Sequence, residues 1–503
     1  SLLAGLYPHQ AGLGHMTSDQ NLPGYQGDLN DHNVTIAEVL GRAGYSTYMS
    51  GKWHVTPFRP EEPTKQNWPL QRGFDRFFGT IIGAGSYYDP AGLVRGNEYI
   101  APEGAGDQYT NDSFYYTDAI SDYSVRYVRE HAQTQSGSPF FLYVGYTAPH
   151  WPLHAPQETI EKYEGKFDLG WDQLRENRYE RMTEMGLIDE TWPLTDRDPK
   201  VTAWEETENK EWQARRMAVY AAQIDRMDQG IGRIVGALEQ TGQLENTLIL
   251  FLSDNGGAQE AFGWVDWRAY SDSEGAEPPA PDEVQTSLYP RVTRAGEPIQ
   301  LGNMPEHMPG PEKTYQSYGR PWANVSNAPF REYKHLVHEG GIATPLIAHW
   351  PAGIDRNGEL ERQPGHVVDL MATAVDLGEA SYPDTIDGQN IHPLPGTSLT
   401  PAFQGEGLAR EEPLFFEHQG NRALRLGKWK AVKKGPSSPW EPSWEPSPWE
   451  LYDMDADRTE TNALSETHPE RLEEMIQQWE SMARRFDALP WPYGGEHEAS
   501  GEE

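Results

Sequence analysis

Cysteine is missing altogether from the 503 residues, so disulfides, thiolate metal sites and cysteine nucleophiles are excluded within them. Long apolar runs are missing too. None approaches the ~20 residues that a helix needs to span a bilayer, which excludes that kind of membrane insertion. Positive charge is scarce: 41 lysines and arginines stand against 77 acidic residues, a formal charge of −36. Such a surface repels nucleic acid and anionic membranes, and it keeps a protein dissolved. Aromatic surface, by contrast, is plentiful. With 17 Trp and 25 Tyr in a hydrophobic share of 37%, the chain can bury a sizeable core.

The length suggests several domains, or one large α/β domain. The chain opens on "SLLAGLYPHQAG" without an initiator Met or a charged leader, and Ser1–Gly5 reads like the middle of a buried helix. Thr35 to Glu38 has the spacing of a capping box, opening a helix with Ile36, Val39, Leu40 and Ala43 on one face and Gly44 as its stop. Strands follow at 45–50 ("YSTYMS") and within "SPFFLYVGY", ending near Tyr146. A long helix over about 212–241 carries the stripe Met217, Ala221, Ile224, Met227, Ile231, Ile234, Val235 and Leu238. "NTLILFLS" then reads as a strand apolar on both faces, hence buried on both, and "IATPLIAHW" (342–350) as another. This alternation is that of an α/β domain.

Residues 258–330 are loop-rich, an insertion over the sheet's edge. After about residue 395 the pattern changes. "EPLFFEH", "RALRLGKWKAV" and "WELYD" read as strands of an antiparallel sheet, with a closing helix at about 468–488. A Trp-Pro repeat (439–450) reads as a rigid loop, and the tail "GGEHEASGEE" as disordered. The expected division is 1–395 and 396–503, a large α/β domain followed by a smaller α+β one.

Three of the strands run into polar residues that do not belong to a core: Lys52 and His54 after the first, His150 after the second, Asp254 and Asn255 after the third. In open α/β sheets ligands bind outside the carboxyl ends of strands. Each residue has an ordinary reading. Lys52 and Lys334 would be solvated surface lysines by default, His150 a hydrogen-bonded loop histidine, and Asp254-Asn255 a plain turn. Cationic and metal-binding groups at several strand ends are better explained by one site for an anion. The adjacent carboxylate and amide oxygens suit Ca²⁺ or Mg²⁺ better than Zn²⁺.

In order along the chain, "GYSTYMSGKWH", "YTAPHWP", "LFLSDNGG" and "YKHLVHEGGIATPLIAHWP" resemble the type I sulfatases of the alkaline phosphatase superfamily, most of all the bacterial arylsulfatases. The likeness runs essentially from end to end, including "ALRLGKWKAV" and "WELYD". It implies a large mixed sheet sandwiched by helices, with a smaller C-terminal α+β domain on an antiparallel sheet. It implies hydrolysis of sulfate monoesters of aryl or carbohydrate substrates, assisted by one divalent metal, Ca²⁺ or else Mg²⁺. By the same resemblance Asp254 and Asn255 are metal ligands, and Lys52, His150 and Lys334 bind the sulfate. His150 and Lys334 face the leaving oxygen, and His54 acts as base in the second half-reaction. Location by resemblance is periplasmic or extracellular, with the cytoplasm as the alternative.

The resemblance also sets expectations ahead of Ser1. "SLLAGLYPHQAG" resembles the continuation of the family's C/S-x-P-S/T-R motif, with Ala4 in a Thr place. A formylglycine nucleophile would then stand about six positions upstream (the count is the motif's), beyond it a strand ending in an Asp-Asp pair of metal ligands. On this expectation the chain by itself is inactive. Two other readings stay open at this stage: a phosphodiesterase or phosphonate hydrolase of the same superfamily, and a non-catalytic binding protein that kept the fold.

Overall fold

The computed structural model describes residues 1–61, 64–111, 113–261, 275–435 and 447–492. Helix α1 (Ile36–Arg42) begins with the reciprocal capping box: the Glu38 N–H donates to Thr35 Oγ1 (3.1 Å) and the Thr35 N–H to Glu38 Oε2 (2.6 Å). Gly44, at φ 91°, then turns the chain into strand β1 (Ser46–Lys52). Strands β2 (Arg76–Thr80), β3 (Leu93–Arg95), β4 (Glu98–Tyr99) and β5 (Phe140–Gly145) join it in the order β4-β3-β2-β1-β5. Strand β1 is parallel to both of its neighbours, while β2-β3 and β3-β4 are antiparallel.

The period of two along β1 decides what lies on each face. Met49 and the adjoining Phe77 pack with Val39 and Leu40 of α1. Tyr48 and Phe78 face the other way, against Ala119, Ile120 and Tyr123 of α2 (Tyr116–Thr134). Both faces are therefore covered by helices. Near the carboxyl end, Gly79, Gly51 and Gly145 lie side by side across three strands. A Cβ on Gly79 would stand 1.7 Å from the Gly51 oxygen, and one on Gly51 2.1 Å from the Gly145 oxygen. The row admits no side chain.

The long helix runs Lys210–Gln240 and leads to β6 (Ile249–Leu252). Within 258–330 there are a short parallel pair, β7 (Gln300–Leu301) with β8 (Thr314–Tyr315), and a helix, Gly319–Ser326. Strand β9 (Leu346–His349) pairs antiparallel with β6 in a separate two-stranded sheet. Here one expectation fails. Phe251 is 39% exposed and Ile347 58%, so this part of the sheet is not buried on both faces. An apolar strand can be buried twice over only if neighbours flank it, and among the described residues β6 pairs with one strand alone. The opening also differs. Leu3, Ala4 and Leu6 are buried as expected, but Ser1–Gly5 is a single turn, closed by Gly5 N–H to the Ser1 oxygen (2.8 Å), not a helix.

A hairpin of β10 (Thr385–Ile386) and β11 (Gln389–Asn390) precedes the antiparallel sheet β12 (Leu414–His418), β13 (Asn421–Leu426), β14 (Trp429–Lys433) and β15 (Glu450–Asp453). The helix Pro469–Arg485 closes it, burying Met475, Trp479 and Met482 against Phe415, Leu424 and Leu451. Tyr7 and Val368 enter the same cluster, so the start of the chain is packed onto this last sheet. The expected fold class is borne out. The tail from 494, most of the Trp-Pro repeat and the aromatic stretch "FGWVDW" lie outside the described residues.

Candidate active site

Lys52 is the last residue of β1, and the ladder continues beyond it: Trp53 N–H donates to the Thr80 oxygen (2.9 Å) and His54 N–H to the Ile81 oxygen (3.1 Å). His54 has φ 50°, a left-handed conformation that costs a non-glycine residue about 1–3 kcal/mol and clusters at functional sites. Its ring lies over Gly83, where a Cβ would come within 2.2 Å of it. Burial, then the nearby charge of Asp254, Lys334 and Glu260, act on Lys52. Burial prevails, and the ammonium is brought down to about 8. Burial and the cations Lys52 and Lys334 lower His54 to about 3, so its imidazole is neutral.

Strand β5 leads to His150 through Thr147 and Ala148-Pro149. The His150 N–H closes a turn on the Thr147 oxygen (2.8 Å). Its Nδ1 lies 2.9 Å from the Trp151 oxygen, which assigns the proton to Nδ1 and leaves Nε2 as the outward nitrogen. Tyr87, buried, donates its hydroxyl to the His150 oxygen (2.8 Å); in the "GSYYDPAG" stretch this tyrosine packs the loop. Burial, then Lys334 and Lys52, push the His150 imidazole well below its ordinary value. His154 is a structural neighbour: fully buried, it lies 2.9 Å from the Thr314 oxygen and accepts from Tyr87 N–H (3.4 Å).

Beyond β6, glycines let two backbones meet. Gly256 N–H donates to the Gly341 oxygen (3.0 Å), Lys334 N–H to the Gly257 oxygen (3.1 Å), and Gly257 N–H to Asn327 Oδ1 (2.7 Å). A Cβ on Gly256 would sit 1.8 Å from the Gly340 oxygen. The turn bearing Asp254 and Asn255 is thereby clamped to the segment bearing Lys334. Asp254 is exposed and acts electrostatically on Lys52 and on Tyr143 of β5. Asn255 donates its Nδ2 to the Gly256 oxygen (2.8 Å), and its Oδ1 is the acceptor atom of the amide.

Lys52, His54, His150, Asp254 and Lys334 thus converge, each within electrostatic reach of others in the set. Asn255 joins them through its neighbour. Sequence reasoning missed one member, Glu260. Its Oε1 lies 2.6 Å from His335 Nε2 and 3.6 Å from Lys334 Nζ, and its Oε2 accepts from Trp151 Nε1 (3.1 Å). Nothing marks Glu260 in the sequence, because the partners of its side chain are more than seventy residues away. His335, beside Lys334 and at φ 79°, could have been noticed in "YKHLVHEGG".

Such an arrangement has the chemistry to bind a small oxyanion and to move protons around it. Comparison with known proteins gives the family. The Sulfatase family model matches residues 1–380. An uncharacterised sulfatase of Schizosaccharomyces pombe is 32% identical over 506 residues, covering 95% of this chain and 83% of the relative. The arylsulfatase of Klebsiella aerogenes is 31% identical over 415 residues, covering 79% and 80%. Among solved structures, one described as in complex with its substrate, D-glucosamine-2-N,6-O-disulfate, superposes with a TM-score of 0.53 at 18% identity, covering 98% of this chain and 88% of that one.

Proposed function

This chain belongs to the sulfatase family, and from that premise we propose that it hydrolyses sulfate monoesters of aryl or carbohydrate alcohols at the site described. The observation that carries the reading is the convergence of two lysines and two neutral imidazoles on an Asp-Asn turn, in a chain of charge −36. The arylsulfatase relative supports aryl esters, and the sugar-bound neighbour supports carbohydrate ones.

A sulfate monoester presents a tetrahedral anion. Lys52 and Lys334 neutralise its non-bridging oxygens, most strongly as charge shifts to the departing oxygen. His150 Nε2 faces that oxygen and gives it a proton. In the free site burial, and after it the two lysines, keep the imidazole neutral; an anionic ester offsets the lysines, so the proton is taken up along with substrate. His54, neutral and held over Gly83, accepts a proton in the second half-reaction, when sulfate departs.

The nucleophile in this reading would be a formylglycine hydrate, which would supply one hydroxyl for attack on sulfur and a second whose deprotonation would release sulfate. Residues 1–503 contain no cysteine precursor for it. One divalent cation, Ca²⁺ by donor type and Mg²⁺ as the alternative, would be held by Asp254 and Asn255 and would stabilise charge on the sulfate oxygens. The two residues fit a hard ion in kind and fall short of it in number. Ca²⁺ takes six to eight oxygens, and among the described residues no group of three or more His, Cys, Asp or Glu could hold a metal.

The test is a panel assay on the full-length protein: 4-nitrophenyl sulfate, sulfated hexosamines and 4-nitrophenyl phosphate, with release of inorganic sulfate or phosphate measured. Sulfate release should dominate and fall by about 10²–10³-fold in Lys52→Ala. No sulfate released from any ester would overturn the reading, and faster release of phosphate would transfer it to phosphoryl chemistry.

A further inference from the structure

We infer that Glu260 is a positioning residue for the proposed reaction, a single carboxylate that joins the loop carrying His150 to the segment carrying Lys334; the inference rests on the function proposed above. The two groups come from chain segments with no backbone hydrogen bond between them in the described structure. The His150 loop follows β5, whereas Lys334 is clamped to the turn after β6. Strands β5 and β6 belong to different sheets, so their ladders cannot set the spacing of the two groups. Something else must.

Glu260 is placed to do so. One oxygen accepts from the Trp151 indole (3.1 Å), and the Trp151 carbonyl in turn holds His150 Nδ1 (2.9 Å). The other oxygen lies 2.6 Å from His335 Nε2 and 3.6 Å from the Lys334 ammonium. Ser317 Oγ fixes the Glu260 backbone oxygen (2.6 Å), and Trp151 is backed by the ring of Tyr289, stacked at 6.1 Å and 15°.

The network beyond Glu260 is consistent. The Glu260 carboxylate accepts from His335 Nε2–H, and the other ring nitrogen, Nδ1, lies 3.3 Å from His418 Nε2 with the rings stacked at 16°. Burial by itself would raise the Glu260 carboxyl, but the His335 imidazole and the Lys334 ammonium hold it well below the ordinary carboxylate range. It is therefore an anion at neutral pH. An anion beside a site for anions is unfavourable for binding; its compensation is the geometry it imposes.

That tension makes the role separable from a merely structural one. Glu260→Gln keeps the shape, removes the negative charge and loosens the tie to Lys334 and His335. With a 4-nitrophenyl or sugar sulfate and the full-length protein, kcat should fall about 10²-fold, the scale of a small misplacement, while KM stays level or drops. Glu260→Asp, which restores the charge one methylene short, should recover part of kcat. A kcat within threefold of wild type in Glu260→Gln would overturn the inference, as would kcat, KM and melting temperature all deteriorating in step.

A second readout needs no turnover. With ¹⁵N-labelled tryptophan, and the Trp151 indole signal assigned by Trp151→Phe, added inorganic sulfate should shift that signal in the wild type and leave it nearly unmoved in Glu260→Gln. An equal response in both proteins would remove Glu260 from its place between the loops. A wild type inert to sulfate and to every ester would instead sink the function on which the inference rests.

Discussion

Lys52 and Lys334 face the same site and are held there in opposite ways. Lys52 closes a regular strand with a parallel neighbour on each side and helices over both faces. Its position is set by backbone hydrogen bonds and packing, with no ion pair required. Lys334 lies in an irregular stretch, 331–338, that leads into a short helix, Glu339–Ile342, and in it Glu332 and His335 have φ of 70° and 79°. Beyond its backbone bonds to the Asp254 turn, this stretch is held by polar and charged partners. Arg331 pairs with Glu450 (2.7 Å), Glu332 with Lys434, His338 with Glu450 (3.3 Å), and Glu339 with Lys430 (2.6 Å) and Arg458. All these partners lie on the C-terminal sheet or in the turns beside it. The last sheet therefore acts as a rack for a lysine that no strand carries. A ladder positions a side chain for nothing beyond regular geometry, whereas an irregular segment needs partners, and buried charged partners tolerate no vacancy.

The largest effect should come from the rack. Lys430 is fully buried between Glu339 (2.6 Å) and Glu460 (2.7 Å). Lys430→Ala would take the ammonium from Glu460 and leave Glu339 with Arg458 as its remaining partner, and should cost about 3–5 kcal/mol, measured by urea unfolding. A loss under 1 kcal/mol would show that the segment is held in some other way. Next comes the ladder. Gly79→Ala should cost about 1–3 kcal/mol, as overpacking does. It should also lower turnover, because the Gly51 oxygen that must yield is one residue from Lys52. Unchanged melting and turnover would mean that the glycine row is incidental.

The smallest effect is a pH slope. Burial alone would raise Glu339, but Lys430 and Arg458 hold its carboxyl below the ordinary range. A depressed carboxyl adds stability above its unfolded value, about 4.3, and that contribution drains away as the pH falls below it. The wild type should lose stability there with a slope of at most about 1.4 kcal/mol per pH unit from this group. Glu339→Gln should flatten the curve below pH 4 and leave its neutral-pH slope alone. An identical acid limb in both proteins would contradict the assignment.

Legibility followed locality. The capping box at Thr35 and Glu38, the strand into Lys52 and the four C-terminal strands depend on neighbours a few residues apart, and all were readable. Lys52, His54, His150, Asp254, Asn255 and Lys334 stood out because each follows a strand or sits in a motif of familiar spacing. Glu260 was illegible, since its meaning comes from Trp151, Lys334 and His335. So was the exposure of Phe251, as "ILFL" records what a strand tolerates and not how many strands flank it.

By itself, then, the sequence determined the alternation of strands and helices, the polar groups at the strand ends and the anionic character of the whole. Periodicity, capping and charge are properties of short stretches. Only the tertiary structure decided that Trp151, the neighbour of His150, and Lys334 share one carboxylate, that glycines at 256 and 257 bring the Asp254 turn onto the Lys334 segment, and that the last sheet holds that segment by buried charge. Those are contacts between groups distant along the chain, and their strength depends on burial, which no local pattern specifies.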